Sequence, residues 1–162
     1  MGTVKEKYIL QKALNKKGAG MYFNQLKVGM TVDIPPVTIE KEKMLAFAKE
    51  YDNIPLHVDE DYAKTTHFGK LIAPGVMSFM AVWSKYLTVD FFGEQLLAGK
   101  STKIEWLKPV FAQDVLTGKA TIKKLTKRNE KNGLAEINIE VYNQNGELVI
   151  KSTNQAIVKI KL

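Results

Sequence analysis

The sequence predicts an α+β domain in which a curved antiparallel sheet of about five strands wraps around one buried helix. Three observations predict it. The 162 residues can bury one substantial core but not comfortably two. The segment Val76–Leu87 has nine apolar residues in twelve, spread over nearly every helical face, and a helix apolar all round belongs inside. From about Leu96 onward, apolar and polar residues alternate with the period of two that half-buried strands require. One buried helix and roughly five amphipathic strands must share one core, and a sheet curled around the helix satisfies both.

Residues 1–20 hold five lysines and one glutamate, a local +4 out of the net charge of +7, and read as a basic N-terminal arm. The domain proper runs over 21–162. Residues 30–39 read as extended, and Pro35-Pro36 places them at a sheet edge or at a break in the ladder. Met44, Leu45, Phe47, Ala48 and Tyr51 share one face of a short helix, with Thr38 as its expected N-cap and Glu40 and Glu42 suited to its positive end. Asp52 to Val58 is expected to be irregular, because Pro55 lacks a donor and drives Ile54 out of the helical region. Asp59 is the expected cap of a further short turn through Tyr62 and Ala63. Pro74-Gly75 marks the start of the buried helix, where its first free N–H groups lie.

Three strands follow the helix with clear patterns. Leu116, Ala120 and Ile122 form one inward set, Ala135, Ile137, Ile139 and Val141 a second, and Val158, Ile160 and Leu162 a third. Asn132-Gly133 and Asn145-Gly146 are hairpin signals with φ > 0 expected at both central positions. These strands are expected to form an antiparallel meander. Its open edges call for cover, which a symmetric partner supplies.

Composition narrows the function classes. There is no cysteine, which removes disulfides, thiol nucleophiles and thiolate metal sites and fits a cytoplasmic protein. No apolar run approaches the roughly 20 residues that span a bilayer, and the N-terminus lacks the apolar core of a signal peptide. The basic arm has neither dense arginine nor aromatic stacking platforms, so no nucleic-acid partner is expected. The basic body favours an anionic ligand. There is no Gly-rich phosphate loop, no dinucleotide fingerprint and no Gly-x-Ser-x-Gly elbow. Asp52, His57 and Asp59 provide only one nitrogen ligand, so no metal site is expected.

The informative stretch is Phe-Ala-Lys-Glu-Tyr-Asp52-Asn-Ile-Pro55-Leu-His57-Val-Asp59, followed by Phe68-Gly69 and Ile72-Ala73-Pro74-Gly75. By spacing alone, an Asp and a His in a proline-containing loop describe a turn and a surface histidine as well as an acid–base pair. The combination resembles the MaoC-like dehydratase family, which includes the (R)-specific enoyl-CoA hydratases: an Asp, a Pro three residues on, a His five residues on and an Asp two further on. Tyr22–Met30, Ile104–Asp114 and Asn143–Val149 extend the resemblance over about residues 21–160. Ile54 departs from the pattern, since that position commonly holds Asn and here Asn53 stands one place earlier.

The resemblance implies a hot-dog fold and a homodimer, or a higher homo-oligomer of dimers. It implies a CoA or carrier-protein thioester as substrate with no separate cofactor, and catalysis by Asp52 and His57. It places Gly75, with Ala73 and Pro74, at the thioester oxygen, and Ile54, Pro55, Phe68 and Gly69 around the pocket. Elementary chemistry makes these roles reasonable. Hydrating a 2-enoyl thioester needs a base for the water that attacks C3, a proton for C2 and donors for charge growing on the thioester oxygen. An imidazole suits the first task and a carboxyl group the second, with the division between them open. A backbone N–H at a helix N-terminus suits the third. A binder of acyl thioesters without turnover and a thioesterase on the same fold are the alternatives. The absence of a carboxylate in Val76–Leu87 counts against the thioesterase.

Overall fold

The computed structural model describes residues 20–162, so the basic arm expected over 1–20 lies almost wholly outside the described residues. The elements follow in chain order: β1 (Thr31–Thr38), α1 (Lys41–Tyr51), α2 (Pro55–Val58), α3 (Glu60–Thr65), α4 (Gly75–Tyr86), β2 (Leu96–Trp106), β3 (Val115–Lys127), β4 (Asn132–Tyr142) and β5 (Leu148–Lys159). One five-stranded antiparallel sheet has the order β1-β3-β4-β5-β2. It curls around α4, which packs on β1 and β3. This is the hot-dog architecture.

The strand patterns account for the sheet. Leu116, Ala120 and Ile122 of β3 and Ala135, Ile137, Ile139 and Val141 of β4 are all buried, and they meet Met77, Phe79, Val82 and Tyr86 of α4 in one core. β3, β4 and β5 form the expected meander. Pro35 and Pro36 lie on the edge strand β1, where the register with β3 shifts between Ile34 and Val37. The other edge is β2, and there every residue is exposed except the half-buried Ile104.

Several expectations need correction. Thr38 ends β1 instead of capping α1, and Glu40 occupies the cap position. Pro55–Val58 is a helical turn, not an irregular loop. Proline has no N–H to satisfy at a first helical position, so the residue that breaks one helix starts the next. α4 is buried along one side only. Met77, Ser78, Phe79, Val82 and Tyr86 face the sheet, while Val76, Met80 and the following Leu87 are exposed in the protomer.

Asn132-Gly133 lies inside β4. The β3–β4 connection is closed instead by the Asn129 side chain, whose Oδ1 accepts from the N–H groups of Lys131 and Asn132. At Asn145-Gly146, only the glycine has positive φ. β5 ends at Lys159, which leaves Leu162 exposed beyond it. Asp59 caps α3 as expected, accepting from the Tyr62 N–H at 3.0 Å.

Candidate active site

Local sequence brings Asp52 and His57 together. Asp52 ends α1, and its backbone N–H donates to the Ala48 carbonyl. Its own carbonyl accepts from the Ile54 N–H at 2.9 Å, which folds the chain back sharply. Ile54 is extended, as a residue before proline must be, and Pro55 launches the single turn of α2. His57 occupies the third position of that turn. The result is a separation of 3.3 Å between Nε2 of His57 and Oδ2 of Asp52.

A second contact orients the imidazole. Nδ1 lies 2.7 Å from the Ile72 carbonyl oxygen. A carbonyl only accepts, so the proton of a neutral ring resides on Nδ1 and Nε2 presents its lone pair to Asp52. Nε2 and Oδ2 then stand side by side as two acceptors, placed so that one water in the cavity could donate to both. His57 is only 6% exposed, whereas the Asp52 side chain is 43% exposed and faces the opening. Ile72 is itself held on two sides, bridged to Phe111 and donating its N–H to the Leu56 carbonyl at 3.4 Å. The adjoining Ala73 N–H donates to the Val110 carbonyl at 2.7 Å.

These groups open on a cavity of about 480 Å³ lined by Asp52, His57, Phe68, Ile72, Ala73, Gly75, Val76, Ser78 and the run Trp106–Val110. α4 points its N-terminus into this cavity. The N–H groups of Gly75, Val76 and Met77 have no acceptor inside the helix, and no loop carbonyl among the described residues takes them. Pro74 is the N-cap, with its carbonyl occupied by the Ser78 N–H and hydroxyl. At the rim, Lys108 pairs with Glu147 at 2.7 Å, and together with Asn143 it holds the Glu147 carboxyl below its usual range.

The structure thus gathers Asp52, His57, Phe68, Ala73 and Gly75 on one cavity, with Pro74 at its edge. Ile54 and Pro55 are exposed and outside the lining, and Gly69 lines a different depression beside Lys70 and Leu71. His67 stacks on Phe68, with ring centroids 3.9 Å apart. Among the described residues no three His, Cys, Asp or Glu side chains gather to hold a metal ion. No helix among them is long and apolar enough to cross a membrane. A further cavity of about 310 Å³ lies at the far end of α4, between Trp83, Tyr86 and Asn154, away from Asp52 and His57.

Two contributors are poorly legible in the sequence. One is the Ile72 carbonyl, a backbone atom. The other is Trp106, which ends the edge strand β2 with its indole against Gly75: a methyl group built on Gly75 would come within 2.4 Å of both Cε2 and Nε1. Glycine is thus a steric requirement of this contact as well as an opening for a ligand.

The model of the MaoC-like domain matches residues 23–144. The chain belongs to the MaoC-like domain family. Among curated relatives, the uncharacterized protein YdeM of Bacillus subtilis is 26% identical over 141 residues, covering 86% of this chain and 99% of that protein. The (R)-specific enoyl-CoA hydratase of Rhodospirillum rubrum is 37% identical over 57 residues, 35% of this chain and 40% of that protein. A solved MaoC-like dehydratase from Rhodospirillum rubrum superposes with a TM-score of 0.79 at 27% identity, covering 88% of this chain and 99% of the other.

Proposed function

We propose that this MaoC-like chain is a hydratase/dehydratase that interconverts a 2-enoyl thioester and a 3-hydroxyacyl thioester, with CoA as the carrier and (R) stereochemistry at C3. The observation that carries the reading is the approach of His57 Nε2 to Asp52 Oδ2 within 3.3 Å, in a cavity that also receives the free N–H groups at the start of α4.

The chemistry follows from the atoms. A water in the cavity, donating to Nε2 and Oδ2 together, attacks C3 of the enoyl thioester. As its O–C3 bond forms, its proton passes to the pair, and the C2=C3 electrons move towards the thioester oxygen. The Gly75 N–H and the helix dipole stabilise the resulting enolate oxygen. The enolate then collapses, and the proton held by the pair is delivered to C2. Water has been added with nothing left over, and dehydration is the reverse. Each proton transfer by a positioned group of this kind contributes about 10²–10⁴-fold.

The cellular form in this reading is a cytoplasmic homodimer. β2 supports it: an eleven-residue edge strand exposed except at Ile104, with Leu96 and Leu97 uncovered, is a surface that a second copy can pair with.

One observation favours a second reading, a thioester binder without turnover. Ile54 stands where the family commonly has a polar residue, and it is exposed and outside the cavity lining. The two readings separate in one experiment. Crotonyl-CoA is mixed with the wild-type chain and with Asp52→Asn, and the loss of enone absorbance is followed. A wild-type rate well above that of the variant supports the hydratase. Equal background rates across several acyl lengths, with saturable binding, leave the binder.

A further inference from the structure

We propose that Trp106 touches the substrate of this site, its indole Nε1–H acting as a second donor to the thioester oxygen beside the backbone N–H of Gly75. The inference rests on the hydratase reading above and adds to it a side chain that the Asp/Pro/His motif does not contain.

Position is the first observation. Trp106 is the last residue of β2 and is paired with Ile150 of β5. The next two N–H groups, of Leu107 and Lys108, both donate to the Val149 carbonyl. The backbone carrying the indole is therefore pinned before and after the residue.

Orientation is the second. The three atoms nearest to a methyl group built on Gly75 are Cε2 and Nε1, each at 2.4 Å, and Cδ1 at 2.9 Å. These are the nitrogen-bearing edge of the ring. The nitrogen-bearing part of the ring thus lies against the first residue of α4, where the free backbone donors begin.

The third observation is the donor's lack of a partner. No hydrogen bond from Trp106 Nε1 to the protein is formed among the described residues, and the residue is 52% exposed while also lining the cavity with Asp52, His57 and Gly75. An indole nitrogen donates and does not accept. It therefore suits an oxygen gaining negative charge and offers nothing to the water that Asp52 and His57 must handle. A residue serving only to fill the space beside Gly75 has no use for the nitrogen, and phenylalanine would serve as well. The other tryptophan, Trp83, packs between Phe79 and Tyr86 on the cavity at the far end of α4 and provides an internal control.

The test uses Trp106→Phe, which keeps an aromatic ring and removes the N–H. In the otherwise wild-type chain, kcat for crotonyl-CoA hydration should fall about 10²-fold, as loss of one such donor does elsewhere, with KM changed by less than about threefold. Trp83→Phe should leave both unchanged. Hexa-2,4-dienoyl-CoA bound to Asp52→Asn should show a red-shifted absorbance from carbonyl polarisation, and the shift should shrink when Trp106→Phe is added.

If Trp106→Phe unfolds, the Trp83→Phe chain keeps the proposal open to refutation. There the resonance Raman signature of the sole remaining indole N–H should move to its hydrogen-bonded position when the dienoyl thioester binds. An undiminished red shift, a kcat within about threefold of wild type or an unmoved Raman band overturns the proposal. A wild-type chain that hydrates nothing removes the hydratase reading instead. The binding spectra still decide the contact, and a chain that binds no thioester removes both.

Discussion

The Nδ1–H of His57 donates to the carbonyl oxygen of Ile72 across 2.7 Å, which turns Nε2 of the same ring towards Asp52. A backbone atom thus selects the tautomer that the proposed chemistry needs. His57→Gln should reduce hydration by about 10²–10⁴-fold. It should also cost about 1 kcal/mol in urea unfolding, because the half-buried Ile72 acceptor loses its donor. A variant with unchanged stability would show that the bond orients the ring without supporting the fold.

Asp52→Asn should separate activity from stability in the opposite way. The side chain is 43% exposed, and among the described residues its one close titratable partner is His57. Hydration should drop by about 10²–10⁴-fold, while unfolding free energy moves by less than about 1 kcal/mol. The pair of measurements is steady-state kinetics and a denaturant titration on the same preparation.

Gly75→Ala places a methyl group where the Trp106 indole already is. Overpacking of this kind should destabilise the chain by about 1–3 kcal/mol. Trp106→Ala vacates the space, so the double variant should be more stable than the sum of the two single costs predicts, by about 0.5–3 kcal/mol. Strict additivity in thermal or urea unfolding would mean that the helix start yields without needing the indole to move.

Among the described residues the buried Tyr86 hydroxyl forms no well-aligned hydrogen bond, although the Phe91 backbone lies close enough to ease its ionisation. Burial is the main force holding its phenol well above its ordinary range, and the charge of Asp90 pushes the same way. The sign of the pH effect follows. The unfolded phenol ionises near pH 10 and the folded one does not, so stability is intact below about pH 10 and falls as pH rises beyond it. Tyr86→Phe should flatten that alkaline fall. At neutral pH it should leave stability unchanged or raise it by about 1 kcal/mol, since an unpaired polar group is removed. Denaturant midpoints at pH 7 and pH 10.5 test both statements.

Light scattering should give a mass of twice 18.2 kDa. Leu97→Lys, a charge on the open strand β2, should return the monomer, because edge lysines oppose strand pairing. A wild-type monomer at micromolar concentration removes the homodimer from the reading.

Much of this arrangement is legible in the residues because it is local. The inward sets on β3 and β4, the capping by Asp59 and the Pro74-Gly75 start of α4 depend on near neighbours. The rest depends on partners distant in sequence or on one residue serving two elements. Pro55 reads as a break because the constraint on Ile54 is obvious, whereas its fitness to begin α2 shows only once a turn exists to begin. Asn132-Gly133 has the composition of a tight turn, but Asn129 closes the connection first and leaves the glycine for β4. Val76–Leu87 reads as wholly enclosed because its composition does not reveal that one protomer covers only one side. The Ile72 carbonyl has no side-chain signature, and nothing near Trp106 in sequence announces Gly75.

The sheet order has a consequence for how the molecule comes into being. β5, the last of these five strands in chain order, lies between β4 and β2. β2 is therefore made some forty residues before the strand it pairs with among the described residues. The ladder cannot close until β5 has been made, which makes this a high-contact-order topology. A nascent chain stalled before Leu148 would display β2 and the inner edge of β4 to whatever is nearby, so chaperone capture should be decided at that point on the ribosome.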